Sequence, residues 1–317
     1  MTVKGALPAS EMGLTLTHEH LLVDFIGADS TGYHRWNREE VITKVLPFLL
    51  EIKKYDVKTL FECTPAYLGR DPILMTMLSE QSGLNILTNT GFYGAMENKF
   101  LPDFVTTESP EELATRWINE WENGIEETGI KPGFIKIAVD RDAELSPIHQ
   151  KLIRAAAKTH LKTGLTIVSH TGPEAPAFQQ LSILEKEGVA PEAFVWVHAQ
   201  RGTDSAHVTA AQKGAWISLD NVKADSIQLQ KYVKSILNLK EKKLLGKLLI
   251  SHDAGWYRVG EPGGGSFRPF TDIFTHLIPK LKEKGLTEND IQQIMVKNPA
   301  QAFQVRIRKL LKPKTVN

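Results

Sequence analysis

The sequence predicts an α/β chain closed into a (β/α)8 TIM barrel, and three observations point there. Short apolar runs alternate with longer amphipathic stretches, the runs number eight, and metal-capable residues recur at their C-terminal ends. In a parallel barrel those ends share one face, where active sites are built. A doubly wound open sheet also alternates, but its nucleotide-binding forms need a Gly-x-Gly-x-x-Gly turn after an early strand. The chain has none.

The predicted strands are 14–20, 57–62, 85–90, 134–139, 166–170, 194–198, 216–219 and 248–253. Several are apolar on both faces, as strands covered by helices are. Segment 39–56, after the first, carries apolar residues at three-to-four spacing, which suits a helix laid on a sheet. Asp71-Pro72 after the second run and Ser146-Pro147 after the fourth read as helix starts. Ser109-Pro110-Glu111-Glu112, after the third, is a capping box with Pro at the first helical position. Segment 226–243, after the seventh, is again amphipathic. The Gly-rich stretch 260–265 has contiguous glycines around Pro262 and reads as a mobile loop, not a phosphate cradle.

Length and charge narrow the function classes. A chain of 317 residues holds two average domains or one large barrel. The expectation is one domain over 1–317, with barrel strands from about 14 to 253, C-terminal helices to about 303 and a solvated basic tail over 306–314. Lys and Arg number 38 against 37 Asp and Glu, a net charge of +1, which argues against nucleic-acid and membrane-surface partners. A single cysteine excludes a disulfide framework and a zinc site of several thiolates. No apolar run approaches the roughly 20 residues of a membrane span, and the first ten residues lack a signal-like stretch. As written, the chain is expected in the cytoplasm, an exported form with its signal already removed being the alternative.

Taken singly, each polar strand residue has an ordinary explanation. His18 and His20 are two apart, so on a strand both imidazoles point to one side and can reach one ion. Lys136 lies in an apolar strand, where a lysine must be paired or neutralised. His170 and His198 read as hydrogen-bonded core histidines, and Asp253 as a helix cap. The conjunction reads differently. Four histidines, a lysine and an aspartate fall at the ends or inner faces of strands one, four, five, six and eight. Packing alone would scatter them, so together they read as a metal site.

With these residues in view, the chain resembles the phosphotriesterase family of the amidohydrolase superfamily. The matching pieces are Thr17-His18-Glu19-His20, Gly133-Phe134-Ile135-Lys136, Ser169-His170-Thr171, Val197-His198 and Ser251-His252-Asp253, within a pattern running from about Gly13 to about Phe303. The resemblance implies a hydrolase with two divalent metals, often zinc. His18, His20 and Asp253 would bind the buried metal and His170 and His198 the exposed one. Lys136, N-carboxylated, would bridge them, because a free ammonium beside two dications is disfavoured. A hydroxide held between the metals would attack the carbonyl or phosphoryl centre, and Asp253 would take and pass on its proton. His252, next to Asp253, should point the other way. The resemblance also implies a homodimer.

Lactonase-like members carry a tyrosine after strand three, and Tyr93 in Gly91-Phe92-Tyr93 fits that place. Two departures bear on substrate. The acidic stretch after the strand-six histidine, which supplies a proton relay in phosphotriesterases, reads Ala199-Gln200-Arg201-Gly202-Thr203-Asp204, with Asp204 displaced. The Arg-Tyr pair of acyl-homoserine lactonases is replaced by Asn221-Val222-Lys223. Arg201, Lys223, Arg258 and Arg268 on substrate-facing loops suit a small anionic substrate such as a carboxylated or phosphorylated sugar lactone. Trp256, Tyr257, Phe25 and Trp36 are candidate walls. Glu62 is a candidate partner for a metal histidine, and Cys63 is left without a ligand role because Lys136 fills the bridge. The reading is therefore a lactone- or ester-opening hydrolase with phosphotriester cleavage as a side activity. An amide hydrolase or a phosphotriesterase on the same metal site, a one-metal deaminase on the same barrel, and a metal-stabilised binding protein without catalysis are the alternatives.

Overall fold

The structure is a computed structural model that describes residues 1–310. Its strands are β1 (Leu14–Val23), β2 (Val57–Glu62), β3 (Asn85–Leu87), β4 (Asn89–Thr90), β5 (Phe134–Ala138), β6 (Ile167–His170), β7 (Phe194–Val197), β8 (Trp216–Leu219), β9 (Leu248–Ile250) and β10 (Gly255–Arg258). All pair in parallel, in the orders β10-β1-β2-β3 and β4-β5-β6-β7-β8-β9. Two of the eight barrel strands are interrupted. The third breaks at Thr88, so that β3 pairs with β2 while β4 pairs with β5. The eighth breaks between Ile250 and Gly255, and its continuation β10 returns to β1. That pairing extends β1 three residues past the expected His20, with His20 opposite Gly255 and Val23 opposite Arg258.

Helices α1 (Arg38–Lys53), α2 (Pro72–Ser82), α3 (Phe104–Thr107), α4 (Pro110–Asn123), α5 (Pro147–Thr163), α6 (Glu174–Lys186), α7 (Asp204–Lys213) and α8 (Ser226–Glu241) follow the strands. Their starts obey local chemistry. Asp71 accepts from Leu74 N, Ser146 from His149 N, and Ser109 and Glu112 form the reciprocal capping box. The last third of the chain adds α9 (Ile278–Glu283), α10 (Glu288–Gln292) and α11 (Asn298–Phe303), with a wider π turn leading into α9 and another joining α10 to α11.

Strand alternation sorts side chains into two cores. Ile135 and Ile137 face the helices in the large outer core. Phe61, Phe134, Val168, Val195, Trp216 and Leu249 fill the barrel interior, and Phe303 plugs its floor with its ring centroid 4.2 Å from that of Phe61. The interior is thus packed below and polar above, with Lys136 buried one step above Phe134 on the same side of β5.

Two expectations are corrected here. The tail is not a solvated end throughout. Arg308 is buried, its guanidinium donating to the carbonyls of Gln301, Ala302, Gln304 and Arg306, which helix α11 and its exit leave without partners. The rest of that stretch, beyond Leu310, lies outside the described residues. The Gly-rich stretch is not a free loop either: it folds into a turn in which Gly264 lies buried against the Tyr257 ring, where no side chain would fit.

Ring closure rests on one close approach. Gly255 has a φ of +94°, and a Cβ there would overlap the His20 carbonyl oxygen. We therefore expect Gly255→Ala to cost about 3 kcal/mol or more of folding stability, from strain plus overpacking. Denaturant titration checks this, and an unchanged midpoint would contradict the closure described.

Candidate metal centre

The mouth at the C-terminal ends of the strands gathers the six predicted side chains from five of the eight barrel strands. His18 and His20 lie on β1 with an interruption of the pairing to β2 beside them. Asp253 sits in the break of the eighth strand, with Nε2 of His20 at 3.2 Å and Nε2 of His18 at 3.7 Å from its Oδ1. Its other oxygen, Oδ2, is 4.0 Å from His198 Nδ1. Lys136 Nζ lies 3.3 Å from His18 Nε2, and His198 Nε2 lies 2.8 Å from His170 Nδ1. The six predicted groups thus form one connected cluster.

The backbone is bent to present them. His198 and Asp253 both adopt left-handed conformations, with φ of 59° and 51°. Such conformations in non-glycine residues persist only where the surroundings hold them, and they concentrate at functional sites. For Asp253 the holder is Glu19. This buried carboxylate accepts from Ser251 Oγ, His252 N, His252 Nδ1 and Ala254 N. His252 is spent in this clamp, its Nε2 accepting from Ile273 N, and points away from the cluster as expected.

A carboxylate that the motif reading passed over stands behind the histidines. Asp220, just beyond β8, is buried and takes hydrogen bonds from His198 N and Ser218 Oγ, both at 3.0 Å. It also accepts from Nδ1 of His198 and, at 3.3 Å, from Nδ1 of His18. The Tyr232 hydroxyl donates to its carbonyl. Burial would push the Asp220 carboxyl up, but His198 and His18 outweigh it and hold it well below the usual carboxylate range. With both Nδ1 atoms committed to Asp220, the Nε2 lone pairs of His18 and His198 are left facing the cluster. The clue in the sequence was its place: like His170 and His198, Asp220 ends a strand. Thr64 is a second such partner, its hydroxyl 2.8 Å from His20 Nδ1.

This donor set fits divalent cations. His18, His20 and Asp253 each offer a ligand atom within 4.8 Å of the others, as do His198, Asp220 and Asp253. In the second group Asp220 already accepts from His198 Nδ1, so we assign it as a buttress and His170 as the neighbour of His198 that faces the cluster. Burial first, then Lys136, pushes His18 down to about 4, and burial, His198 and Lys136 push His170 well below its ordinary value. Neutral imidazoles with open lone pairs are what a cation needs. Cys63 is buried with its thiol toward the Thr17 carbonyl, and burial pushes its pKa up, away from the thiolate a metal would require. Glu62 accepts from Leu21 N and Thr64 N and meets no histidine, so its predicted role passes to Thr64.

The predicted substrate residues divide. The Tyr93 hydroxyl is 3.2 Å from His170 Nδ1, and burial followed by Asp253 pushes its phenol up, so it stays a donor. Trp256 stacks on Phe25 and lies 4.4 Å from the His20 ring, its Nε1 donating to the Asp253 carbonyl. With Lys223, Arg258 and Arg268 these residues line an open cavity of about 470 Å³ beside Asp253. Both terminal nitrogens of Arg268 are engaged, donating to Asn221 Oδ1 and the His252 carbonyl. Arg258 reaches Glu261 at 3.4 Å. Arg201 lies over Gly172 on the opposite rim without an ion-pair partner among the described residues, and burial and then Arg141 lower its pKa. Three residues are not brought to the mouth. Tyr257, next in the strand to Trp256, alternates to the outer face against Gly264. Trp36 donates to Asp71 in a separate cavity. Asp204 starts α7 and accepts from Ser235, facing α8.

The phosphotriesterase family model matches residues 1–303. The chain belongs to the phosphotriesterase family. It is 29% identical over 310 residues to an aryldialkylphosphatase of Saccharolobus solfataricus, covering 95% of this chain and 98% of that one. It is 26% identical to an N-acetyltaurine hydrolase of Mus musculus, covering 95% and 96% respectively. Among solved structures, a point variant of the organophosphorus hydrolase from Deinococcus radiodurans superposes with a TM-score of 0.85 at 26% identity, covering 96% of this chain and 97% of that one. This family member is accordingly a hydrolase of small molecules on a TIM barrel. No helix among the described residues is long and apolar enough to cross a membrane.

Asp220 yields a test separate from turnover. We expect Asp220→Asn to fold normally but to bind added zinc 10- to 100-fold more weakly, as loss of a histidine-orienting carboxylate does. Metal titration followed by calorimetry reads this directly, and wild-type affinity would remove Asp220 from the site's support.

Proposed function

We propose that this protein is a binuclear metal-dependent hydrolase that opens lactones or related esters carrying an anionic group, with phosphotriester cleavage as a side activity. The observation that carries the reading is the convergence of His18, His20, Lys136, His170, His198 and Asp253 on one mouth. His18, His20 and Asp253 would hold one cation and His170 and His198 the other, with Lys136 between them as an N-carboxylate. That modification turns a buried cation into a two-oxygen anion, which suits a lysine aimed at imidazole lone pairs. Zinc is our assignment for so imidazole-rich a set. When bound, such ions supply Lewis acidity, easing deprotonation of water at neutral pH and polarising a substrate carbonyl.

The protein's own groups account for the remaining steps. Asp253 has one oxygen toward His18 and His20 and the other toward His198, so its carboxylate stands between the two histidine sets. Burial opposes its ionisation, but His20, His18 and His198 outweigh it and hold it below the ordinary range. It is therefore ionised at neutral pH and is our candidate to accept the proton of the attacking water and deliver it to the leaving alkoxide. The Tyr93 hydroxyl, protonated and beside His170, is placed to donate to the substrate oxygen as negative charge builds there. Arg201 on one rim and Lys223 and Arg258 on the other would hold an anionic substituent away from the reacting carbon. Phe25 and Trp256 form the apolar wall between.

The lactone preference is supported by Tyr93 and by the absence of an acidic relay after His198, where Gln200 binds Asp220 and Arg201 faces the rim. A second reading is amide hydrolysis, favoured by the likeness to N-acetyltaurine hydrolase. The test is a kinetic screen of metal-reconstituted protein against sugar lactones, phosphorylated lactones, N-acyl amino sulfonates and organophosphates, with and without chelator. We expect chelator-sensitive lactone opening with the highest kcat/KM for anionic members; preference for amides would move the assignment to the second reading. Lys136→Ala should lose metal and at least 100-fold in rate, with partial recovery in short carboxylic acids. Full metal content in that variant would remove the bridge. Tyr93→Phe should lower kcat for lactones by roughly tenfold or more without changing metal content. An unaltered rate would leave Tyr93 a packing residue.

A further inference from the structure

Past Tyr93 the chain leaves the barrel, and the groups that hold it there lie outside the metal cluster. Phe92 still pairs with Ala66 and Tyr93 with Ala138, but among the described residues no strand pairing continues beyond them until β5. Two side chains take over. His149, in the first turn of α5, is 4% exposed and donates from Nε2 to the Gly94 carbonyl at 2.9 Å. Asp140, just after β5, accepts from Met96 N at 2.7 Å with Oδ1, and its Oδ2 lies 3.7 Å from the same His149 nitrogen.

We propose that His149, with Asp140 beside it, is a positioning residue that sets where the Tyr93 hydroxyl stands in the mouth. The inference rests on the role of Tyr93 proposed above, and three observations carry it. First, the hydrogen bond lies at the root of the side chain it would aim. The Tyr93 hydroxyl is 3.2 Å from His170 Nδ1, and the carbonyl that His149 holds belongs to the very next residue. A turn of the backbone there swings the far end of a rigid phenol, and a misplacement of about 1 Å at a reacting group can cost on the order of 100-fold in rate. Second, the segment is drawn tightly onto β5 and α5. A Cβ at Gly94 would lie 2.7 Å from Leu152 Cδ1, 2.8 Å from the Ala138 carbonyl oxygen and 3.1 Å from the His149 ring.

Third, the chain beyond is strained. Met96, Glu97 and Asn98 follow one another with φ of 61°, 56° and 63°. Left-handed conformations in non-glycine residues persist only where the surroundings hold them. The holders are Asp140 on Met96 N and, at the far end, Ala28 N on the Lys99 carbonyl. His149 stands between this strained turn and the phenol. Nothing else about α5 calls for a polar side chain at that place. Ser146 already caps the helix, and an imidazole buried beside Leu152 costs free energy unless its hydrogen is met.

The experiment compares the full chain, metal-loaded, as wild type, His149→Leu, His149→Gln, Tyr93→Phe and the double variant of His149→Leu with Tyr93→Phe. Gln keeps a donor near the place of Nε2, and Leu keeps much of the bulk without one. We expect His149→Leu to lower kcat on the best substrate of the screen roughly tenfold with KM and metal content unchanged, and His149→Gln to restore most of the rate. In the Tyr93→Phe background His149→Leu should cost no further rate, because the two residues act as a unit. A histidine that only supports the fold would give additive losses. A second readout needs no substrate: the ring resonance of 13C-labelled Tyr93, assigned by its disappearance in Tyr93→Phe, should shift in His149→Leu and return in His149→Gln. Should His149→Leu fail to fold, Asp140→Ala is read in its place and should move the same resonance. An unmoved resonance in the folded variants, additive losses of rate, or a change confined to KM or metal content would each overturn the proposal. If the screen favours amides, the same comparison is run on the amide. If Tyr93→Phe leaves the rate unaltered, the catalytic role of Tyr93 fails while the resonance still reports whether His149 places its ring, so the two failures are told apart.

Discussion

The structure turns on the hydrogen bonds that Glu19 accepts. Where the eighth strand leaves the ladder, its backbone would otherwise be a buried segment with unmet N–H groups, each costing about 1–3 kcal/mol. Glu19 takes the N–H groups of His252 and Ala254 together with the Ser251 hydroxyl and the His252 ring. One buried carboxylate thus substitutes for a stretch of β-ladder. It joins the last strand to the first and holds Asp253 in its left-handed conformation between His20 and His198. The residue lies between the two histidines of β1, so the element that carries half of the imidazoles also aims the carboxylate they share.

A similar economy appears at Asp220. Its carboxylate accepts from Nδ1 of His18 and Nδ1 of His198, which belong to opposite sides of the cluster. A shift of either ring is felt by the other through a common, fully buried partner. The surroundings of Asp220 leave it little freedom, with Ser218, Gln200 and the His198 backbone on the carboxylate and Tyr232 on its carbonyl. Site precision here comes from support behind the ligand atoms more than from the ligand residues themselves.

The mouth is asymmetric, and the asymmetry is what substrate selection has to work with. Phe25 and Trp256 make a stacked aromatic wall next to His20, while the cationic side chains stand farther out. Of the predicted cations, Arg268 is tied into the loop, where it holds Asn221 and the His252 carbonyl. This half-buried guanidinium has both terminal nitrogens donating to fixed oxygens and only its Nε without a partner among the described residues, so its contribution is to shape the loop. Arg201 differs: partly desolvated and near Arg141, it is a cation still short of a counter-charge among the described residues.

Much was written in the sequence. The number and order of the strands follow from the spacing of apolar runs, and the helix starts at Asp71, Ser109 and Ser146 follow from side chains that cap their own backbone. The metal-capable residues were legible because strand ends share one face. What sequence patterning could not supply is whatever depends on contacts between distant segments. Broken strands at Thr88 and before Gly255 look continuous in one dimension. Neighbours in a strand part company, so Trp256 faces the His20 ring at the mouth and Tyr257 the outer helix. The strand-end place of Asp220 was legible, but its role and that of Thr64 were set only when folding laid them against His18 and His20, at separations of 202 and 44 residues. Local sequence determines strands, caps and the side on which a residue emerges, because those depend on near neighbours. Which buried donor meets which acceptor is decided in three dimensions, because desolvation makes every such pair a property of the closed barrel.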